Sequence, residues 1–153
     1  MLFIRPNRPE DFDHLWRIDQ ACFAPGIAYS RRELTWYMRR SRAFTLVGEQ
    51  ARDGAHEIAG FIVAESDASG PGHILTIDVD PRFQRAQVGH RLLAAAEERL
   101  LKEGCRSVLL EVAVDNHPAI SFYKKYGYTI IETIPRYYMN SLDALVMGKK
   151  LKN

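Results

Sequence analysis

The chain is short of cysteine, of net charge and of long apolar runs, and each shortage closes off a class of function. Cys22 and Cys105 are the only cysteines in 153 residues. Neither has a second Cys or a His at metal-ligand spacing, so both read as reduced, packed thiols and no metal is expected. Lys and Arg number 21 against 19 Asp and Glu. That balance makes no whole-chain field of the kind a nucleic-acid binder uses, and any anion site must be local. The opening MLFIRPNRPEDF carries charge and proline where a secretory leader needs an unbroken apolar core. No run approaches a membrane span, so a cytoplasmic protein without membrane or direct nucleic-acid contact is expected. Neither GxxxxGK(S/T) nor GxGxxG occurs, which leaves no P-loop and no Rossmann dinucleotide site. Repeats, low-complexity tracts and linkers are missing too.

What is present is enough apolar residue, 46% of the chain with 10% aromatics, to bury a core, and one domain spanning 1–153 is expected. The hydrophobic period changes repeatedly along it. Leu2 to Arg5 reads as a strand. Pro9-Glu10-Asp11 opens a helix to about Phe23, with Phe12, Leu15, Trp16, Ile18 and Cys22 at helical spacing. Ala24 to Tyr29 breaks it. Ser30 and Glu33 have capping-box spacing and start a second helix to about Arg40. Ala43–Glu49 and Glu57–Glu65 read as a hairpin joined by a polar loop, Gln50 to His56. A strand follows at His73–Val79, then a helix from Val88 to about Glu103, striped by Val88, Leu92, Ala96 and Leu100 and stopped by Gly104. Ser107–Val114 is a strand, Pro118–Tyr126 a short helix, and Tyr128–Ile134 and Leu145–Lys149 two further strands. This order predicts an α/β fold: a twisted mixed sheet of about seven strands flanked by about four helices, with parallel pairing across the central crossover.

The junction from Gln84 to Leu93, QRAQVGHRLL, joins a strand to a helix. A helix start presents unpaired backbone N–H groups with a partial positive potential, which suits an anion. Gly89 permits close backbone approach, and Arg85 and Arg91 offer charge from the side. The plain alternative is a solvated turn.

The run Asp80 to Gly89 followed by HRLL resembles the acetyl-CoA loop of the GNAT N-acetyltransferases, Q/R-x-x-G-x-G/A. Gln84 and Gly89 match; Gln87 stands where the family has glycine, at a position that asks for a left-handed backbone angle or close phosphate approach. Asp115 to Tyr128, with Asn116, Ala119, Phe122, Tyr123, Gly127 and Tyr128, is similar to the family's second signature, N-x-x-A-x-x-(F/L)-Y-x-x-x-G-(F/Y). The resemblance implies the GNAT fold and acetyl-CoA as cosubstrate. It implies that backbone groups of Ile77, Asp78 and Val79 bond the pantetheine arm, and that the turn from Gln84 through Arg85, Ala86, Gln87, Val88, Gly89 and His90 holds the pyrophosphate. Asn116 would touch the pantetheine region, or simply cap its helix.

Leu110-Glu111-Val112 and the ending Pro135-Arg136-Tyr137-Tyr138, Asp143-Ala144, Met147 resemble the N-terminal protein acetyltransferases, in particular the bacterial enzymes that acetylate the N-terminal alanine of a ribosomal protein. That resemblance implies Glu111 as base, directly or through a water, and Tyr123 as acid, and it allows Tyr137 and Tyr138 to line a peptide groove. The chemistry asks for those types: an amine attacks a thioester only when neutral, and the departing thiolate gains from a nearby acid. In its strand Glu111 shares a face with Leu109 and Ala113 and should be desolvated. The plain readings are an arginine partner for Glu111 and packed aromatics for the three tyrosines. The expected acceptor is a protein N-terminus, with a ribosomal protein as one such partner, since an α-amine of pKa about 8 is far more available near neutrality than a lysine at about 10.4. Arg31, Arg32, Arg39, Arg40 and Arg42 around the second helix suit an acidic partner or plain solvation. A small-amine acetyltransferase and a non-catalytic acyl-CoA-binding module are the alternatives.

Overall fold

The computed structural model describes residues 1–84, 87–139 and 141–151. Seven strands form one sheet: β1 (Leu2–Pro6), β2 (Ala43–Arg52), β3 (Ala55–Glu65), β4 (Gly72–Val79), β5 (Ser107–Ala113), β6 (Thr129–Tyr138) and β7 (Leu142–Lys150), in the order β1-β2-β3-β4-β5-β7-β6. The helices are α1 (Phe12–Cys22), α2 (Arg31–Met38), α3 (Val88–Lys102) and α4 (His117–Lys125). Every neighbouring pair is antiparallel except β4 and β5. Those two are joined through α3, the long crossover that parallel strands require. The mixed sheet with four helices matches the expected class.

Both faces of the sheet are covered. Leu15, Ile18 and Leu34 of α1 and α2 pack on Val47, Ile58, Phe61 and Val63, while Leu92, Leu93, Ala96 and Leu100 of α3 pack on the other face with Ile62, Ala64 and Val108. Each such leucine, taken wholly out of water, contributes roughly 2 kcal/mol. Gly60 is needed where β3 meets β4, because a Cβ there would lie 2.6 Å from the Asp78 carbonyl oxygen.

The hairpin between β2 and β3 is tighter than its polar composition suggested. Both strands run on to Arg52 and Ala55, and the turn is only Asp53-Gly54, with φ of 50° and 79°. Two left-handed residues twist the connection as two antiparallel strands need, and Asp-Gly is the residue pair that accepts this. The last two strands are likewise longer than read, 10 and 9 residues. Gly104 takes φ 97° just past α3, as its position implied. Among the described residues no helix is long and apolar enough to cross a membrane.

Candidate active site

β4 and β5 pair at only two points, Gly72 with Val108 and His73 with Leu109. Beyond them, among the described residues, the strands part and leave a cleft in the middle of the sheet. Glu111 lies on β5 two residues past the last pair. Its carboxylate turns back across the fork, so that His73 Nε2 and Glu111 Oε1 are 2.8 Å apart. Leu109 and Glu111 are half-buried between the buried Val108, Leu110 and Val112, the alternation expected of this strand. The partner is a histidine from the neighbouring strand rather than an arginine. A surface cavity of about 540 Å³ opens against the pair, lined also by Arg40, Glu65, Asp67 and Gly72.

Aromatic rings surround the other side of Glu111. β6 breaks register between Ile134 and Tyr138. Within that break Arg136 is left-handed, at φ 53°, and donates its N–H to Asp143 Oδ1 at 3.0 Å. The irregularity gathers Tyr137 and Tyr138 into an edge-to-face pair with centroids 4.8 Å apart. Burial raises both hydroxyl pKa values; for Tyr138 the neighbouring Tyr137 and then the Glu111 charge add to it, and for Tyr137 the Glu111 charge and then Tyr37. Tyr37 of α2 in turn lies 5.0 Å from Tyr29, centroid to centroid. Tyr29 is tied down at every polar atom. Its N–H donates to Asp19 Oδ2 at 2.7 Å, its hydroxyl donates to the Leu75 carbonyl at 3.2 Å, and its own carbonyl accepts from Trp16 Nε1 at 3.1 Å and Gln20 Nε2 at 2.6 Å. At the far end of the same loop Gly26, at φ 91°, leaves no room for a Cβ beside the Met139 side chain. The loop after α1 and the tip of the β6–β7 hairpin therefore meet.

Tyr123 is buried in α4, edge-on to Phe122 and Tyr128 at 5.5 and 5.7 Å. Burial, then the Asp78 charge and Tyr138, holds its hydroxyl protonated far above neutral pH. Tyr138 thus affects the Tyr123 hydroxyl and is itself affected by the Glu111 charge. Asn116 Oδ1 accepts the Ala119 N–H at 3.3 Å, so it caps α4.

At the opposite end of the cleft lies the start of α3. Its first backward helical bond is from Arg91 N–H to the Gln87 carbonyl, 3.0 Å. The amides of Val88, Gly89 and His90 precede it and have no helical acceptor among the described residues, which is the donor set an anion needs. Gln87 adopts φ 64° and ψ 14°: the left-handed angle for which glycine is usual is present, carried by a residue with a side chain. Gln84 is extended and exposed, and Val88 is in the core, so Val88 can serve only through its backbone. Gly89 lets the helix close on Phe122, whose Cζ would lie 3.2 Å from a Cβ there. His90 stacks on Tyr126 at 4.2 Å. Arg85 and Ala86 lie outside the described residues. Arg91 points away, its guanidinium reaching the Leu2 carbonyl at 3.4 Å. Along β4, Ile77 and Val79 pack toward the α3 core, and the Val79 carbonyl accepts the Cys22 thiol at 3.2 Å. Asp78 is buried and registers with Phe61 of β3. These amides and the fork fit a phosphate-ended acyl thioester such as acetyl-CoA.

His73, Tyr29 and Tyr37 escape a linear reading. His73 lies at the start of an apolar strand with no local pattern to mark it, and Tyr29 sits in a breaker; only the sheet order brings His73 to Glu111.

The Acetyltransferase (GNAT) family model matches residues 12–128. A Bacillus subtilis protein named for ribosomal protein bS18-alanine N-acetylation is 33% identical over 94% of this chain and 92% of its own. The catalytic subunit NAA20 of the Arabidopsis thaliana N-terminal acetyltransferase B complex is 31% identical over 66% of this chain, which spans only 60% of that relative's length. The crystal structure of Ard1 from Thermoplasma volcanium superposes with a TM-score of 0.85 at 31% identity, covering 99% of each chain. With the fork, the α3 amides and both signatures in place, this chain belongs to the GNAT acetyltransferase family.

Proposed function

We propose that the protein is a single-domain cytoplasmic enzyme that moves the acetyl group of acetyl-CoA to the N-terminal α-amine of a protein, a ribosomal protein being one acceptor. The observation that carries this is Glu111 at the parting of β4 and β5, paired at 2.8 Å with His73 and with its charge felt by the Tyr137 and Tyr138 hydroxyls. The relatives named above for N-terminal acetylation support it.

Acetyl-CoA, when bound, supplies an activated acyl carbon and a thiolate leaving group. The α3 amides of Val88, Gly89 and His90 would hold its phosphates, and the edge of β4 at Ile77 and Val79 with Asn116 would orient its arm. Glu111 takes the proton of the acceptor ammonium, directly or through a water, and so exposes the nitrogen lone pair. A new N–C bond forms, the C–S bond breaks, Tyr123 donates its hydroxyl proton to the departing sulfur, and the second proton of the acetylated nitrogen passes through water to the Tyr123 phenolate, leaving a neutral amide and a neutral thiol. His73 orients the Glu111 carboxylate through their hydrogen bond. The tyrosines exclude water and present apolar faces with polar tips to a peptide backbone.

The test mixes the protein with acetyl-CoA and a panel of peptides with free N-termini, Ala- and Ser-starting among them, beside N-blocked lysine peptides and small amines, and follows thiol release. Release confined to free N-termini is expected. Release confined to small amines would overturn the acceptor assignment, and acetyl-CoA binding without turnover on any amine would favour a binding module.

A further inference from the structure

Two carboxylates play no part in the chemistry above, yet they are among the most deeply buried polar groups in the protein. Asp19 of α1 is 0% exposed and Asp78 of β4 is 1% exposed. Each has one oxygen satisfied: Asp19 Oδ2 accepts the Tyr29 N–H at 2.7 Å, and Asp78 Oδ1 accepts the Thr76 hydroxyl at 2.6 Å. Each has one buried oxygen without a donor, Asp19 Oδ1 and Asp78 Oδ2. The two side chains are also hydrogen-bonding neighbours. Two buried carboxylates in contact cannot both stay ionised, and a single proton between the orphaned oxygens would satisfy both at once.

We propose that Asp19 and Asp78 share one proton, carried on Asp78 Oδ2 and donated to Asp19 Oδ1, and that this acid pair positions the acceptor loop 24–29 against the cofactor strand β4. Thr76 and Tyr29 fix the direction of sharing. Asp19 must accept at both oxygens, so it is the carboxylate; Asp78 accepts at one oxygen and donates from the other, so it is the acid. The pair is then the middle of three ties between the α1 region and β4. The other two are the Cys22 thiol on the Val79 carbonyl and the Tyr29 hydroxyl on the Leu75 carbonyl.

Among the described residues no cation faces the pair. The groups facing the pair are Thr76 on β4 itself, Cys22 on α1, Tyr29 on the loop and Tyr123 on α4. Burial, and then the hydrogen bond and charge of Asp19, hold the Asp78 carboxyl well above the ordinary carboxylate range against the opposing Thr76 bond. Burial pushes the Cys22 thiol up to about 12, with the negative charge of the aspartate pair adding to it, so the thiol stays a donor. Loss of the shared proton would set two buried negative charges against each other at the anchor of Tyr29. Asp19 and Asp78 are therefore positioning residues whose effect on acetyl transfer runs through the loop.

The role in acceptor placement rests on the function proposed above, but the proton and the loop are read without substrate. Carbon-13 spectra of the full chain labelled at aspartate should show one side-chain carboxyl still protonated at neutral pH, and that signal should vanish in Asp78→Asn, whose amide reproduces the donor. Asp19→Asn is the second variant. It too should abolish the signal, because Asp78 then becomes the acceptor of two bonds. The Tyr29 amide should exchange slowly in the wild type and faster as pH rises through the pair's titration, while in Asp78→Asn its protection should lose that pH dependence. With an active acceptor peptide, Asp19→Ala should raise acceptor KM at least fivefold and change acetyl-CoA KM by less than twofold. A wild-type spectrum with every aspartate ionised at neutral pH, or Tyr29 protection that follows pH identically in wild type and Asp78→Asn, would overturn the proposal.

Discussion

His73 and Glu111 sit on adjacent parallel strands, and their side chains meet at 2.8 Å across the point where those strands separate. The bond fixes a largely buried carboxylate at the mouth of the cleft, lining the cavity. Removing the base while keeping its shape, Glu111→Gln, should lower kcat by about 10² to 10⁴-fold, the usual range for a general base, and flatten the acidic limb of the rate–pH profile. His73→Gln should lower kcat less than Glu111→Gln does, because it removes the orienting partner and leaves the base. Steady-state kinetics across pH check both; wild-type turnover in Glu111→Gln would remove it from the mechanism.

Tyr123→Phe deletes a hydroxyl that burial keeps protonated. The expected result is a kcat lowered by about 10²-fold or more with acetyl-CoA KM little changed, since the proton is used on departure of the thiolate and not in binding. Pre-steady-state thiol release separates this from slow product dissociation.

Tyr138→Ala opens the ring of tyrosines beside Glu111. A rise in peptide KM well beyond any change in acetyl-CoA KM is expected, because Tyr137 and Tyr138 come from the β6–β7 hairpin and not from the α3 end of the cleft.

Gln87 holds a left-handed backbone angle, φ 64°, that costs a residue with a side chain about 1 kcal/mol or more. Gln87→Gly should therefore stabilise the fold by about 1 kcal/mol, or roughly 2–4 °C in Tm for a chain of this size. Thermal and urea unfolding check it, and a Gln87→Gly variant less stable than wild type would contradict it.

Arg5 forks Asp11 at 2.9 and 3.1 Å and reaches Glu49 at 3.2 Å, tying β1 to the turn before α1 and to β2. Burial alone would raise the Asp11 carboxyl, but the Arg5 and Arg8 bonds outweigh it and leave it below its ordinary value. A depressed carboxylate stabilises the fold above its unfolded pKa of about 3.9, and that contribution is lost as pH falls through the lower folded value. Asp11→Asn should cost roughly 2 kcal/mol at neutral pH and progressively less below about pH 4. Urea denaturation at several pH values reads the convergence.

Much of this was legible in the chain. The α3 stripe of Val88, Leu92, Ala96 and Leu100 marks a helix because burial repeats every turn, and all four are buried. Asn116 caps α4, one of the two roles its place before Pro118 allowed. Three things were not legible. The Asp53-Gly54 turn carried its signal, but the surrounding polar residues Gln50 to His56 masked it, since edge positions of a two-faced hairpin tolerate polar side chains. His73 meets Glu111 only because β5 returns beside β4 after a crossover, a pairing of residues 38 apart that no local period encodes. Asp19 and Asp78 look like ordinary surface acids in sequence and become a buried pair only when α1 docks on β4.

The central claim, α-amine acetylation by Glu111, is tested most directly on one peptide that carries both a free N-terminal alanine and an internal lysine. The peptide is incubated with acetyl-CoA and either wild type or Glu111→Gln, and the site of acetylation is located by fragmentation mass spectrometry. Acetyl on the N-terminal nitrogen alone with wild type, and a rate lowered at least 10²-fold with Glu111→Gln, is the expected result. Acetyl on the lysine, or equal N-terminal acetylation by the two proteins, would contradict it.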